Sequence, residues 1–284
     1  MKLDFVLAIV FVTACSLRAQ TITLTTGGTI QGQNLKVSGD TVLSTVKVGN
    51  GEGTVGYAVA SIAKIEFPKP PEIASTEEML CDGKADSALV AIGPVVASQA
   101  PFRKIPGNWW MEVAALKLSA LSSLRLDAQA NELIAEMLPL ANDAEARQTI
   151  KLYQAVALSR KGQFQQALVL IDPILKEGRD AKILATAWLC AGECWLGLKD
   201  SEPALIAYLH IPVFYPEEKL LMPAALLGSA RALENLDDPA RAKASLDELL
   251  KDYASSAEAS SSREDLKRIE HKLKTQIPPI AVSQ

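Results

Sequence analysis

At 284 residues the chain is long enough for one large domain or two smaller ones. A composition of 49% hydrophobic and 22% charged residues excludes wholesale disorder. A formal charge of −4 and an isoelectric point of about 5.4 do not suit a general nucleic-acid binder, which needs a basic face to neutralise phosphates.

Residues 1–19 have the order of a secretory signal peptide. Lys2 opens the segment, Phe5 to Ala14 form an apolar run, and Cys15-Ser16-Leu17-Arg18-Ala19 ends on a small residue. The run falls short of the roughly 20 residues that span a bilayer. Cleavage after Ala19 is expected, giving an exported protein, periplasmic or secreted, that begins at Gln20. Val12-Thr13-Ala14-Cys15 also resembles the lipobox of bacterial lipoproteins. Lipidation at Cys15 would anchor the chain, and is the one route by which a membrane enters this reading.

Residues 20–68 form a β-rich module. Short runs rich in Thr, Val and Ile are broken at Gly27-Gly28, Ser38-Gly39-Asp40 and Gly49-Asn50-Gly51, the residue pairs of tight hairpins. About five strands in fewer than fifty residues predict a small barrel, and the layout resembles the Sm-like or SH3-like barrels of bacterial exported proteins. Such barrels include RNA binders, but the low basic charge argues for an interaction or spacer module. A linker at 69–71, Lys69-Pro70-Pro71, closes it, because a proline pair cannot continue a strand ladder.

From 72 to 255 a repeat takes over. Ala88, Ala130, Ala167, Ala204 and Ala242 each follow a turn and precede a large apolar residue four positions on. The apolar spacing on both sides of each turn is helical, as in Trp188, Ala191, Gly192 and Trp195. Each unit is therefore predicted to be a helix hairpin. Asp200 or Ser201, and Asp238, are the expected caps of second helices. Pro94, Pro139, Pro173 and Pro212 are expected to kink or stop those helices. A capping helix is predicted over 256–276, with Leu266, Ile269 and Leu273 as its apolar stripe, followed by a loose tail at 277–284.

Trp188, Ala191-Gly192, Trp195, Ala204, Tyr208 and Pro216 resemble the tetratricopeptide repeat (TPR) pattern position for position. Leu226, Ser229-Ala230, Leu233, Ala242 and Leu246 repeat it in part, as do Ala155, Leu158, Phe164, Ala167 and Ile171. The expected fold is mainly α, an α-α solenoid of about five TPR-like hairpins preceded by a small β-barrel-like module. The resemblance implies a concave groove lined by Ser119, Ser122, Val156, Ser159, Leu189, Glu193, Leu196, Leu227, Arg231 and Glu234. That groove would take a protein or peptide partner. The lysine and asparagine pattern with which chaperone-binding members grip a carboxylate is missing.

Cys190 and Cys194 stand four apart on one predicted helix, with His210 beyond the next turn. Small apolar side chains beside Gly192 suit a close helix crossing, and free cysteine packs as a small hydrophobe. A shared metal or a redox pair is the alternative, although a zinc site usually needs four ligands. No phosphate loop, HExxH or GxSxG motif occurs, and no metal or cofactor is called for. Phe102, Arg103, Trp109 and Trp110 fill the longer gap after the first hairpin, either as a plug between hairpins or as an exposed aromatic patch. Together these features predict a non-catalytic interaction scaffold of the bacterial cell envelope. The alternative is an envelope enzyme accessory or a thiol or metal protein acting through Cys190 and Cys194.

Overall fold

The computed structural model describes residues 20–48 and 51–276. The expected signal peptide, Cys15 and the tail at 277–284 lie outside the described residues. The chain divides into two compact units. The first joins the β-rich segment, up to Pro70, with Ser98–Trp110, and the second holds the remaining helices.

In the first unit five strands form one sheet: β1 (Gln20–Leu24), β2 (Thr29–Ser38), β3 (Thr41–Val48), β4 (Gly51–Ala58) and β5 (Ile62–Glu66). Their order is β4-β3-β2-β1-β5, antiparallel throughout. The expected barrel does not close, because β4 and β5 are opposite edges with no ladder between them. Register breaks between Gln33 and Lys36, where Asn34 has a φ of 50°. Such a bulge leaves a backbone group without its ladder partner, and the Gln33 amide donates instead to buried Ser44 Oγ at 3.2 Å.

Ser98–Trp110 completes this unit. Phe102 and Ile105 are buried with Ile22, Val42, Ile62 and Ile65 in one apolar cluster. The Ile65 amide donates to the Pro106 carbonyl at 2.9 Å. Gly107, at a φ of 87°, makes that approach sterically open, since a Cβ there would sit 2.5 Å from the Ile65 carbonyl oxygen. Trp109 Nε1 donates to the Phe67 carbonyl at 3.0 Å, and the Lys69 ammonium lies over its ring. The stretch is thus no exposed aromatic patch: Phe102 and Trp110 are buried and Trp109 is half-buried, so of the four candidate residues Arg103 alone is exposed. Phe102 and Ile105 complete an apolar core that the sheet, open at its edges, does not finish alone.

The second unit is helical. Five hairpins follow one another: α1 (Glu72–Cys81) with α2 (Ala85–Gln99), α3 (Trp110–Ser123) with α4 (Asp127–Met137), α5 (Ala144–Arg160) with α6 (Phe164–Glu177), α7 (Ala181–Gly197) with α8 (Ser201–Phe214), and α9 (Met222–Asn235) with α10 (Pro239–Asp252). A single helix, α11 (Ala257–Gln276), ends the described chain. Every second helix begins three residues before the repeat alanine.

The turns repeat in atomic detail. Five residues before each alanine stands a left-handed residue: Gly83, Arg125, Gly162, Lys199 and Asp237, with φ between 56° and 74°. The next amide in every turn bonds back five residues, from Lys84, Leu126, Gln163, Asp200 and Asp238 to the carbonyls of Met79, Leu121, Leu158, Trp195 and Leu233. This is the Schellman closure, which satisfies the last carbonyls of the first helix. Asp238 caps α10 through the Arg241 amide, whereas Asp200 precedes α8 without a side-chain capping bond.

Most of these prolines do not stop their helices. Only Pro139 coincides with a helix end, in the 3-10 turn that follows α4. Helices α2, α6 and α8 continue past Pro94, Pro173 and Pro212. The carbonyls freed by Pro94 and Pro173 belong to Val90 and Val169, which lie on exposed helix faces where water can replace the lost bond.

The turn geometry makes a stability prediction. A non-glycine residue in the left-handed region costs about 1 kcal/mol, so Lys199→Gly should stabilise the chain by roughly that amount and Gly162→Ala should destabilise it comparably. Urea-unfolding midpoints check both directions.

Candidate functional site

Consecutive first helices of the later hairpins touch, α5 with α7 and α7 with α9, and α11 continues the series against α9. On this side lies a cavity of about 500 Å³. Helix α7 contributes Glu193, Leu196 and Gly197, and α9 contributes Ala224, Leu227, Gly228 and Arg231. Ala257, Glu258 and Ser261 of α11, Arg125 of the α3–α4 turn and Tyr208 of α8 complete the lining.

Tyr208 shapes the floor. It is buried, and a Cβ added at Gly192 would come within 2.8 Å of its ring, while one added at Gly228 would overlap the ring outright. The two glycines therefore open a slot between α7 and α9 through which a second-helix side chain reaches the cavity. Burial, reinforced by the nearby Glu193 charge, pushes the phenol well above its ordinary pKa, so it stays a neutral hydrogen-bond donor. Glu193 is solvent-exposed but recessed among surrounding protein. That partial desolvation raises its carboxyl above the usual carboxylate range, against the opposing charges of Arg160 and Arg125.

The charged residues at the α9 end are held by the chain itself. Arg231 Nε donates to Asp265 Oδ2 at 2.9 Å. Arg268 forks onto Glu234 through two bonds of 2.7 Å and adds a third, of 2.9 Å, to Asp265. Lys272 pairs with Asp237 at 2.6 Å. This ladder fastens α11 along α9.

Of the ten residues expected to line a groove, the cavity gathers Glu193, Leu196, Leu227 and Arg231. Glu234 is taken up by Arg268. Ser122 and Ser159 are buried, and Ser119 is half-buried. Val156 and Leu189 are half-buried against the helical core. Sequence reasoning missed Arg125, Tyr208, Glu258 and Ser261 as lining residues. The repeat register carries part of the signal: Arg125 sits at the recurrent left-handed turn position, and Tyr208 falls between Gly192 and Gly228, the residues that leave it room.

Cys190 and Cys194 are buried, whereas Cys81 is exposed. A hydrogen bond with the Cys194 thiol and burial together push the Cys190 thiol up. His210 stacks on Trp188 with ring centroids 3.6 Å apart, and its Nδ1–H donates to the Ile206 carbonyl at 2.8 Å. No group of three or more His, Cys, Asp or Glu is placed to hold a metal ion among the described residues. Nor is any described helix long and apolar enough to cross a membrane. The fold is a helical, repeat-like unit with a small antiparallel β unit. The chain matches no family model and no curated protein sequence.

The glycine slot is directly testable. Alanine is favoured over glycine in helices by about 1 kcal/mol, yet Gly228→Ala forces a methyl into the Tyr208 ring, and overpacking costs about 1–3 kcal/mol. Gly228→Ala should therefore lower stability, and adding Tyr208→Ala should remove that penalty in a double-mutant cycle followed by urea unfolding.

Proposed function

We propose that the helical unit is a TPR-type solenoid and that the protein is a non-catalytic interaction scaffold. A peptide or helix of a partner protein would bind along the first helices, at the cavity between α7, α9 and α11. The observation that carries this reading is the cavity itself. It is assembled from equivalent first helices, it is open to solvent, and it combines the apolar Leu196 and Leu227 with the polar groups of Arg125, Glu193 and Tyr208. Mixed apolar and polar linings of this kind hold a peptide by burial and fix its register by hydrogen bonds.

The expected export signal supports a scaffold of a bacterial cell envelope, periplasmic or secreted, or membrane-anchored if Cys15 is lipidated. The β unit would serve as a second interaction or spacing element. The buried thiols support packing over a redox role, since reactive cysteines need accessible thiolate.

The structure guides the choice of variant. Arg231 is held by Asp265, so changing it would also loosen α11. Arg125 and Glu193 are exposed and line the cavity without such a role. An Arg125→Glu, Glu193→Lys double variant should retain wild-type circular dichroism and lose the partners that the immobilised chain captures from envelope extract. Identical captured sets would refute the assignment of the cavity as the binding site.

A further inference from the structure

The floor of the cavity holds a polar group without a partner. Tyr208 is only 3% exposed, yet its side chain lines the cavity. Its hydroxyl makes no hydrogen bond among the described residues, whereas buried polar groups are ordinarily paired. The ring is wedged against Gly192 and Gly228, so the phenol holds its direction. The other polar side chains of the lining are either committed or free. Arg231 is held by Asp265, and the Ser261 hydroxyl donates to the Glu258 carbonyl at 3.0 Å. Glu193 makes neither an ion pair nor a hydrogen bond among the described residues. Across the lining, Arg125 and Arg231 offset Glu193 and Glu258. The cavity therefore offers a free neutral donor, a free carboxyl group and no net formal charge.

We propose that the partner segment inserts an Asn or Gln side chain here, with its primary carboxamide bound between Tyr208 and Glu193. This rests on the reading of the cavity as the site of a partner segment. A primary carboxamide carries an acceptor oxygen and a donor NH₂ on one carbon. The oxygen accepts from the Tyr208 hydroxyl and the NH₂ donates to Glu193, which lies near enough for its charge to act on the phenol. Other groups satisfy only part of this pair. A carboxylate would accept from Tyr208 but face Glu193 with like charge, and Arg231, the cation that acts on the phenol, already serves Asp265. An ammonium or guanidinium suits Glu193 but has no acceptor for the phenol proton. A trans main-chain amide turns its oxygen and its N–H to opposite sides, so one peptide unit cannot meet both groups. An aliphatic side chain leaves both unpaired once the segment excludes water. A site built to hydrogen-bond a group rejects analogues that lack it for that reason, which makes Tyr208 the specificity-determining residue of the cavity.

Panning a display library of random dodecapeptides on the immobilised chain tests this. Peptides whose binding is lost with the Arg125→Glu, Glu193→Lys double variant are the cavity ligands. The expected result is Asn or Gln at one fixed position among them. Exchanging that residue for Leu, Asp or Glu in a selected peptide should lower its affinity for the wild-type chain by about ten-fold or more in calorimetric titration. This readout needs no variant of the chain. Tyr208→Phe should weaken the amide peptide to a similar degree and leave the affinity for its Leu version unchanged, the coupling that a double-mutant cycle isolates. The melting temperature of Tyr208→Phe should equal that of the wild type, since the hydroxyl has no partner to lose in the free chain. Cavity ligands without a fixed amide, or with affinities indifferent to Tyr208→Phe, overturn this inference and leave the cavity as a partner site. An equal loss for the amide and Leu peptides, which a merely structural role would produce, also overturns it. The absence of any cavity ligand overturns both readings.

Discussion

The contact on which the helical unit turns is the Tyr208 ring lying against Gly192 and Gly228. It joins three successive helices, α7, α8 and α9, through one buried side chain. Interiors are packed densely enough that a single added methyl is felt, so both glycines are fixed by the ring rather than by backbone freedom. The consequence reaches the cavity. With the slot open, a donor from the second helices stands among groups from the first, and the cavity floor becomes polar without a charged residue being buried there.

The same economy explains the end of the array. Helix α11 repeats the position of a first helix but has no second helix behind it among the described residues. Its attachment rests on Ile269 and Ala259 in the core and on the ladder of Asp265, Arg268 and Lys272 against Arg231, Glu234 and Asp237. Exposed ion pairs contribute little individually, about 0–1 kcal/mol. The Arg268 fork is the geometrically demanding member, since bidentate pairing fixes direction as well as distance. These pairs set the register of α11 on α9, while the apolar contacts hold it there.

Much of this was legible in the sequence. The spacing of Ala88, Ala130, Ala167, Ala204 and Ala242 located every hairpin turn, because the alanine marks a helix crossing where nothing larger fits. The turn residue itself was hidden: glycine occupies only two of the five left-handed positions, and Arg125, Lys199 and Asp237 give no local cue. In the β-rich segment the strands and turns followed from composition, but closure did not, since edge pairing depends on long-range geometry. Phe102 was misplaced, and Ile105 passed over, for a related reason. Their partners, Ile22, Val42, Ile62 and Ile65, lie forty or more residues away on average in a different kind of structure, and no periodicity links the two. At the cavity, pattern transfer found Glu193, Leu196, Leu227 and Arg231. It could not see that Glu234 was already committed to Arg268, a pairing readable only once α11 is placed.

The claim on which the functional account rests is that a partner protein occupies the cavity between α7, α9 and α11. The most direct measurement is photocross-linking in cells from a probe placed at Ser261, which is exposed and lines the cavity, compared with the same probe at Glu202, which is exposed on α8 and does not line it. The account predicts cross-links from position 261 to a defined segment of another protein, absent from position 202. Cross-links of equal yield and identity at both positions, or none from position 261, would contradict it.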